Sequence, residues 1–265
     1  MQKLIKDYIT SYLNLDSLIT KEQHGFTTGM STKDQKELST PVDKVYKRKI
    51  YLVIYNSILV VTWTLVLLKT LVYVSEKNSF HGLYNDIKFW LKLSQAAAVL
   101  EIIHSLIGIV QSSALNTIPQ VLSRLFTLFI VVDGILMKHD EVKDTIGFPL
   151  LLFAWTITEI VRYSFYTNSL MDIGSTTLQW CRYSFFIVLY PIGVLGEVIC
   201  IVASLPLAKK GGFYSITLPN SLNFSIDYVY TCYFILFLYI PAFYHLYVHM
   251  LTQRKKVLSN KAKSE

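Results

Sequence analysis

The sequence predicts an all-α membrane protein, a six-transmembrane-helix bundle with both termini in the cytosol, and three observations carry that prediction. Only 16% of the 265 residues are charged while 52% are hydrophobic, whereas a soluble domain carries about a quarter charged residues. Six apolar segments, at about residues 50–74, 89–111, 118–137, 146–166, 182–206 and 228–250, match the ~20 helical residues that cross ~30 Å of hydrocarbon. Basic clusters flank the set, with Lys44, Lys47, Arg48 and Lys49 before it and Arg254, Lys255 and Lys256 after it; such clusters stay on the cytosolic side. An even number of spans agrees with that orientation. Lys138, Lys143, Lys209 and Lys210, in loops assigned to the outside, weaken the bias without reversing it.

Taken in order, residues 1–44 form a cytosolic N-terminal extension. Leu4, Ile5, Tyr8, Ile9, Tyr12 and Leu13 fit a short amphipathic surface helix, and residues 21–44, without an apolar period, read as a flexible linker. Residues 45–251 are the membrane domain and 252–265 a basic cytosolic tail. Short connections predict sequential, antiparallel neighbours. The first segment leads outward. The second runs inward with Glu101 and His104 in its inner half, the third outward from Gln120 and Arg124, and the fourth inward to Glu159, Arg162, Tyr163 and Tyr166. The fifth enters from the cytosol at Arg182, and the sixth returns to the basic tail. Polar residues from four segments thus converge on the cytosolic half. Arg124, Arg162 and Arg182 read as a funnel for an anionic head group, with the apolar outer half receiving a hydrocarbon tail. The plainer alternative is snorkelling arginines and interhelical hydrogen bonds.

The fifth segment is the most informative. It carries Tyr190 and Glu197, with Pro191, Gly193 and Gly196 between them. A carboxyl group in mid-membrane costs at least ~2.5 kcal/mol and marks a functional site by default. Seven residues are nearly two helical turns, so Tyr190 and Glu197 share a face about 10 Å apart along the axis. Pro191 removes a backbone hydrogen bond and the glycines permit close approach, which predicts a distorted helix. The competing reading is a Tyr–Glu hydrogen bond that only joins helices.

Other classes fit less well. The net charge of +7 reflects basic cytosolic flanks, and no base-stacking motif or basic DNA-reading helix accompanies it, so no nucleic-acid partner is expected. Cys181, Cys200 and Cys232 have neither CxxC nor Cys/His spacing, which points to no disulfide framework and no metal site. No secretory signal opens the chain, since Lys3, Lys6 and Asp7 interrupt the first twenty residues. A transporter built from symmetric halves would show a repeat and polarity through the full depth; Asp133 is the main polar residue of the outer half. A non-catalytic membrane scaffold would tolerate loss of the Tyr–Glu pair.

The runs LEIIHSLIGIV (100–110), TIPQVLSRLF (117–126), WTITEIVRYSFY (155–166), RYSFFIVLYPIGVLGE (182–197) and YIPAFYHLYVHMLTQRKKVL (239–258) closely resemble the very-long-chain (3R)-3-hydroxyacyl-CoA dehydratases, also called protein-tyrosine-phosphatase-like membrane proteins. The resemblance covers roughly residues 45–258. It implies a multi-pass enzyme of the endoplasmic reticulum membrane that catalyses the third step of fatty-acid elongation beside a condensing enzyme and two reductases, without a cofactor. The catalytic pair it implies, in the motif Tyr-Pro-x-Gly-x-x-x-Glu, falls on Tyr190 and Glu197, and supporting positions fall on Glu101, Gln120, Arg124, Arg162 and Gly193. Phosphatase chemistry is excluded, because a thiolate six residues before an arginine is needed and the residues six after the three cysteines are Ile187, Pro206 and Leu238.

The chemistry agrees with the residues. Dehydrating a 3-hydroxyacyl thioester takes a proton from C2 and expels hydroxide from C3, so it needs a base and an acid and no redox cofactor. Which of Tyr190 and Glu197 plays which part stays open in the sequence. The tail lysines Lys261 and Lys263 resemble a dilysine retrieval signal, and Asn223-Phe224-Ser225 is a glycosylation sequon expected on the lumenal side.

Overall fold

The computed structural model describes residues 32–110, 114–139, 145–216 and 225–261. The N-terminal amphipathic helix, the sequon at Asn223 and the lysines Lys143 and Lys263 lie outside the described residues. The chain divides into two compact units, Met1–Arg48 and Lys49–Glu265. The described part of the first is wholly helical, and the site lies in the second.

Among the described residues eight α-helices follow one another: α1 Thr32–Lys77, α2 Leu83–Ala97, α3 Val99–Leu106, α4 Ala114–Leu125, α5 Gly147–Leu170, α6 Thr176–Ser184, α7 Phe186–Gly211 and α8 Tyr228–Lys261. A π-helical segment, Phe126–Val132, continues α4. Among the described residues the one extended pairing is an antiparallel bridge between Ile216 and Ile226 that closes the α7–α8 loop. The helix α1 begins earlier than the sequence suggested, so the linker expected over 21–44 gives way at Thr32. Lys, Gln, Glu and Leu in TKDQKELSTP are strong helix formers, and a hydrated helix needs no apolar period.

Three helix pairs run antiparallel, as the contacts along them show. In α1, Tyr55 donates to the carbonyl of Ala97 and Lys69 pairs with Asp86, so α2 runs back along it. Helices α5 and α7 cross with Gly147 at Gly196 and Ala154 at Gly193. Along α6–α7 and α8, Ser204 meets Tyr228, Glu197 meets Tyr239 and Ser184 meets Arg254. One end of the bundle carries Lys49 paired with Asp172 at 2.7 Å. The other carries Asp133, which accepts from Tyr84 and pairs with Lys92 at 2.7 Å.

Among the described residues four helical stretches are long and apolar enough to cross a membrane: Val45–Lys77, Thr117–Lys138, Phe186–Gly211 and Tyr228–Val257. The other two expected spans depart from that pattern. The second breaks at Ala98, whose N–H reaches the carbonyl of Gln95 in a tighter turn, and α5 is diluted by Glu159 and Arg162. The outer faces fit lipid. Ile54, Ile58 and Val61 on α1 and Phe234, Phe237 and Ile240 on α8 are exposed, far more apolar surface than a soluble monomer shows. The chain is a multi-pass membrane protein. Its core is built by Leu59, Trp63 and Val66 of α1, Leu83, Ile87 and Leu91 of α2, and Leu128, Val131 and Val132 of the π-helical segment. The π turn brings Thr127, Leu128, Val131 and Val132 inward together.

The fifth apolar segment is also divided, but not at the proline. The break sits at Phe185, between α6 and α7, whereas α7 runs through Pro191. Pro191 has no N–H to offer the carbonyl of Ile187. Tyr247 of α8 donates its hydroxyl to that carbonyl at 3.4 Å, so the neighbouring helix supplies the donor that the proline lacks.

Candidate active site

Helices α5 and α7 come into backbone contact at their glycines. A Cβ on Gly196 would stand 2.6 Å from the Leu151 nitrogen and 2.8 Å from the Gly147 carbonyl oxygen, so only glycine allows this crossing. One turn away, Gly193 faces Ala154 and Trp155. The crossing therefore places Glu197 beside Trp155. Glu197 is buried, 6% exposed, and Trp155 Nε1 donates to its Oε1 at 3.0 Å. From α8, the Tyr239 hydroxyl donates to Oε2 at 2.6 Å. Both carboxylate oxygens thus hold a neutral donor, and among the described residues Glu197 has no ion pair.

Tyr190 stands nearly two turns earlier on the same helix. Its ring stacks on Phe243, with centroids 5.2 Å apart and planes 5° from parallel, and Tyr247 continues the stack. Residues 239, 243 and 247 recur at four-residue spacing, so one face of α8 meets both Glu197 and Tyr190. Stacking fixes the Tyr190 ring, while its hydroxyl has no hydrogen-bond partner among the described residues. Tyr190 and Glu197 make no hydrogen bond to each other; the Tyr–Glu hydrogen bond that joins helices here is the one from Tyr239 to Glu197.

Beside this pair lies an ionic network drawn from three passes. Arg162 donates Nη1 and Nη2 to the two oxygens of Glu101, at 2.6 and 2.8 Å, and Nε to Glu159 at 2.9 Å. Glu159 also accepts from Arg124 Nη1, and the Tyr163 hydroxyl donates to Glu101. Two arginines balance two glutamates, which is how buried charge is tolerated. The Arg124 guanidinium also lies 5.6 Å from the centre of the Trp155 ring, so the network abuts the indole that holds Glu197.

The sequence-predicted residues therefore separate. Glu101, Arg124 and Arg162 come together, joined by Glu159, and Gly193 lies against Trp155. Gln120 is exposed and offers its backbone carbonyl to Ser123, so it stands apart from the network. The expected three-arginine funnel is altered, because Arg124 and Arg162 direct their donors to the chain's own carboxylates. Arg182 is without an ion pair among the described residues, its guanidinium 5.9 Å from the Tyr166 ring.

Sequence reading missed Trp155 and Tyr239 as partners of Glu197, and also the Tyr51–His104 hydrogen bond of 2.7 Å that extends the polar cluster to α1. An indole and a phenol on apolar helices resemble packing residues; their polar ends in a segment that also contains Glu159 or Pro241 were the available signal. No group of His, Cys, Asp and Glu suited to a metal occurs among the described residues.

The model of the family described as protein tyrosine phosphatase-like protein, PTPLA, matches residues 95–260. The chain is 45% identical over 210 residues to the human very-long-chain (3R)-3-hydroxyacyl-CoA dehydratase 2, covering 79% of this chain and 81% of that one. It is 40% identical over 219 residues to the very-long-chain (3R)-3-hydroxyacyl-CoA dehydratase PASTICCINO 2 of Arabidopsis thaliana, covering 82% and 96%. With the very-long-chain (3R)-3-hydroxyacyl-CoA dehydratase hpo-8 of Caenorhabditis elegans the identity is 38% over 216 residues, covering 81% and 97%. No solved structure matches the chain. An ionic network that secures a buried, neutrally hydrogen-bonded glutamate is thus set in a chain of clear descent, and the chain belongs to the protein tyrosine phosphatase-like (PTPLA) family.

Proposed function

We propose that this protein is a hydro-lyase that dehydrates a very-long-chain (3R)-3-hydroxyacyl-CoA to the trans-2-enoyl-CoA, with Tyr190 and Glu197 as its proton-transfer pair. The observation that carries this reading is Glu197: a buried carboxylate held by two neutral donors, near a tyrosine whose hydroxyl is uncommitted. The names of its relatives supply the substrate class. Glu197 takes the proton from C2, the electron pair forms the C2–C3 double bond, and the C3–O bond breaks. Tyr190 protonates the departing oxygen, so water leaves, and the proton on Glu197 then returns to the Tyr190 phenolate. No electrons are exchanged with a third molecule, so the chemistry calls for no cofactor.

The reacting carbons C2 and C3 are one bond apart, so the two side chains converge on them and an intervening water carries the proton across the remaining gap. On one helix the two residues are offset by about 10 Å along the axis, and their side chains reach toward a common acyl segment. The supporting residues work indirectly: Glu101, Arg124 and Arg162 with Glu159 immobilise α3, α4 and α5 around Trp155, Gly193 lets α7 approach that indole, and Gln120 at the cytosolic end of α4 faces the incoming CoA. Six passes, α1, α2–α3, α4 with its π-helical continuation, α5, α7 and α8, span the endoplasmic reticulum membrane with both termini cytosolic. Product passes to a reductase, and the 3-hydroxyacyl substrate arrives from the condensing enzyme and first reductase of the same cycle.

The deciding experiment is turnover of a 3-hydroxyacyl-CoA by the detergent-purified full chain, with the 2-enoyl product followed by mass spectrometry. Enoyl formation that disappears in Glu197→Gln is expected. A folded, monodisperse preparation that forms no enoyl product overturns the assignment.

A further inference from the structure

The hydroxyl nearest Glu197 belongs to Tyr239, on a different helix from the Tyr190–Glu197 motif. Its 2.6 Å separation from Oε2 falls in the range of charge-assisted O–H···O⁻ hydrogen bonds, which are roughly twice as strong as neutral ones. Trp155 Nε1 occupies the other oxygen at the longer distance of 3.0 Å. These two donors come from α5 and α8, and no cation contacts the carboxylate among the described residues. Arg124, the nearest candidate, is directed to Glu159. The orientation of the Glu197 carboxylate, whose terminal torsion is intrinsically broad, is therefore set by one indole and one phenol. The phenol is the stronger constraint.

The Tyr239 end is also polar in a way its surroundings do not require. The hydroxyls of Ser123 and Thr127 are neighbours of the Tyr239 hydroxyl. Thr127 is fully buried at the start of the π-helical segment, and among the described residues its Oγ1 has no hydrogen-bond partner. Pi turns inside α-helices are frequent at functional sites. A small set of hydroxyls is thus gathered about the phenol that meets Glu197.

We infer that Tyr239 is a positioning residue of the proton-transfer site: its hydrogen bond to Oε2 aims the remaining lone pairs of Glu197 at the substrate. This rests on the dehydratase reading for its kinetic consequence but not for its structural one. A carboxylate held by one donor instead of two loses its near-attack geometry, and misplacement of about 1 Å costs about 100-fold in rate.

The test uses the full-length purified protein and two readouts. In Tyr239→Phe, kcat should fall 10- to 100-fold while KM stays within about twofold, because the phenol touches Glu197 rather than the acyl-CoA. Unchanged kcat, or an effect confined to KM, overturns the inference. Independently of turnover, the infrared carboxyl band assigned to Glu197 by its disappearance in Glu197→Gln should shift in Tyr239→Phe; an unshifted band overturns the hydrogen bond itself. If the wild type forms no enoyl product, the dehydratase reading fails and the infrared band alone decides for Tyr239. Should Tyr239→Phe fail to fold, 3-fluorotyrosine placed at position 239 keeps the shape and strengthens the donor. It must then move the band, and an unmoved band refutes the positioning role.

Discussion

At the scale of single residues, the site is a division between groups proposed to move protons and groups that hold them. On the proposed mechanism Tyr190 and Glu197 belong to the first. Tyr190→Phe deletes one oxygen and Glu197→Gln one charge, so each should fold, and each should lower kcat by at least ~100-fold, the usual loss for a positioned proton-transfer group. Because they act in one unit, the double variant should be scarcely worse than the worse single variant; steady-state kinetics of the three proteins checks this. Arg162 belongs to the holding part. Arg162→Ala leaves Glu101 without its ion pair and the 2%-exposed Glu159 with Arg124 alone, and breaking a buried pair costs about 3–5 kcal/mol, so its thermal unfolding in detergent should move far down in temperature before any change in KM can be measured. Arg162→Lys should recover only part of the loss, since one ammonium cannot replace a fork that reaches both carboxylates. Glu101, Arg124, Arg162, Tyr190 and Glu197 were legible because charge and hydroxyl groups are conspicuous on apolar segments. Their pairing was not, since it depends on which helix faces which: the sequence put both arginines at a mouth, and the fold turned them onto Glu101 and Glu159.

At the scale of the helix, the α5–α7 crossing decides where Trp155 meets Glu197. Gly196→Ala introduces a carbon against the Leu151 nitrogen and the Gly147 carbonyl, both backbone atoms that cannot rotate away. Overpacking of this kind costs about 1–3 kcal/mol or more, so this variant should lose both thermal stability and turnover. Gly193→Ala meets Ala154 at 3.4 Å, ordinary contact, and should cost less than about 1 kcal/mol. Comparing the two melting temperatures tests whether the crossing rests on Gly196. The existence of the apolar elements was readable from their length and hydropathy. Their interruptions were not. Pro191 suggested a distorted helix, yet the helix is carried through it by the Tyr247 hydroxyl, and the break lies at Phe185, where the sequence offers neither proline nor glycine. The break at Ala98 and the π turn after Leu125 are likewise set by packing against other helices, which no local pattern reports.

At the scale of the whole molecule, alternating passes put the α5–α6 turn and the α7–α8 loop on opposite faces. With a cysteine-free background, a single cysteine at Asp172 should react with an impermeant maleimide in intact microsomes, whereas one at Phe213 should react only after permeabilisation. Equal labelling of both would refute six passes. The ionic network has a further bearing, on how such a chain is made. Ribosomal synthesis delivers α3 first, then α4, and α5 only afterwards, so Glu101 and Arg124 reach the bilayer before Arg162 and Glu159 exist. Neither early segment can discharge its polar group alone, and among the described residues α5 is the one long helix without a stretch apolar enough to cross a membrane by itself. The three passes are therefore expected to leave the translocon together, as one folded packet whose last member completes the neutralisation of the first two.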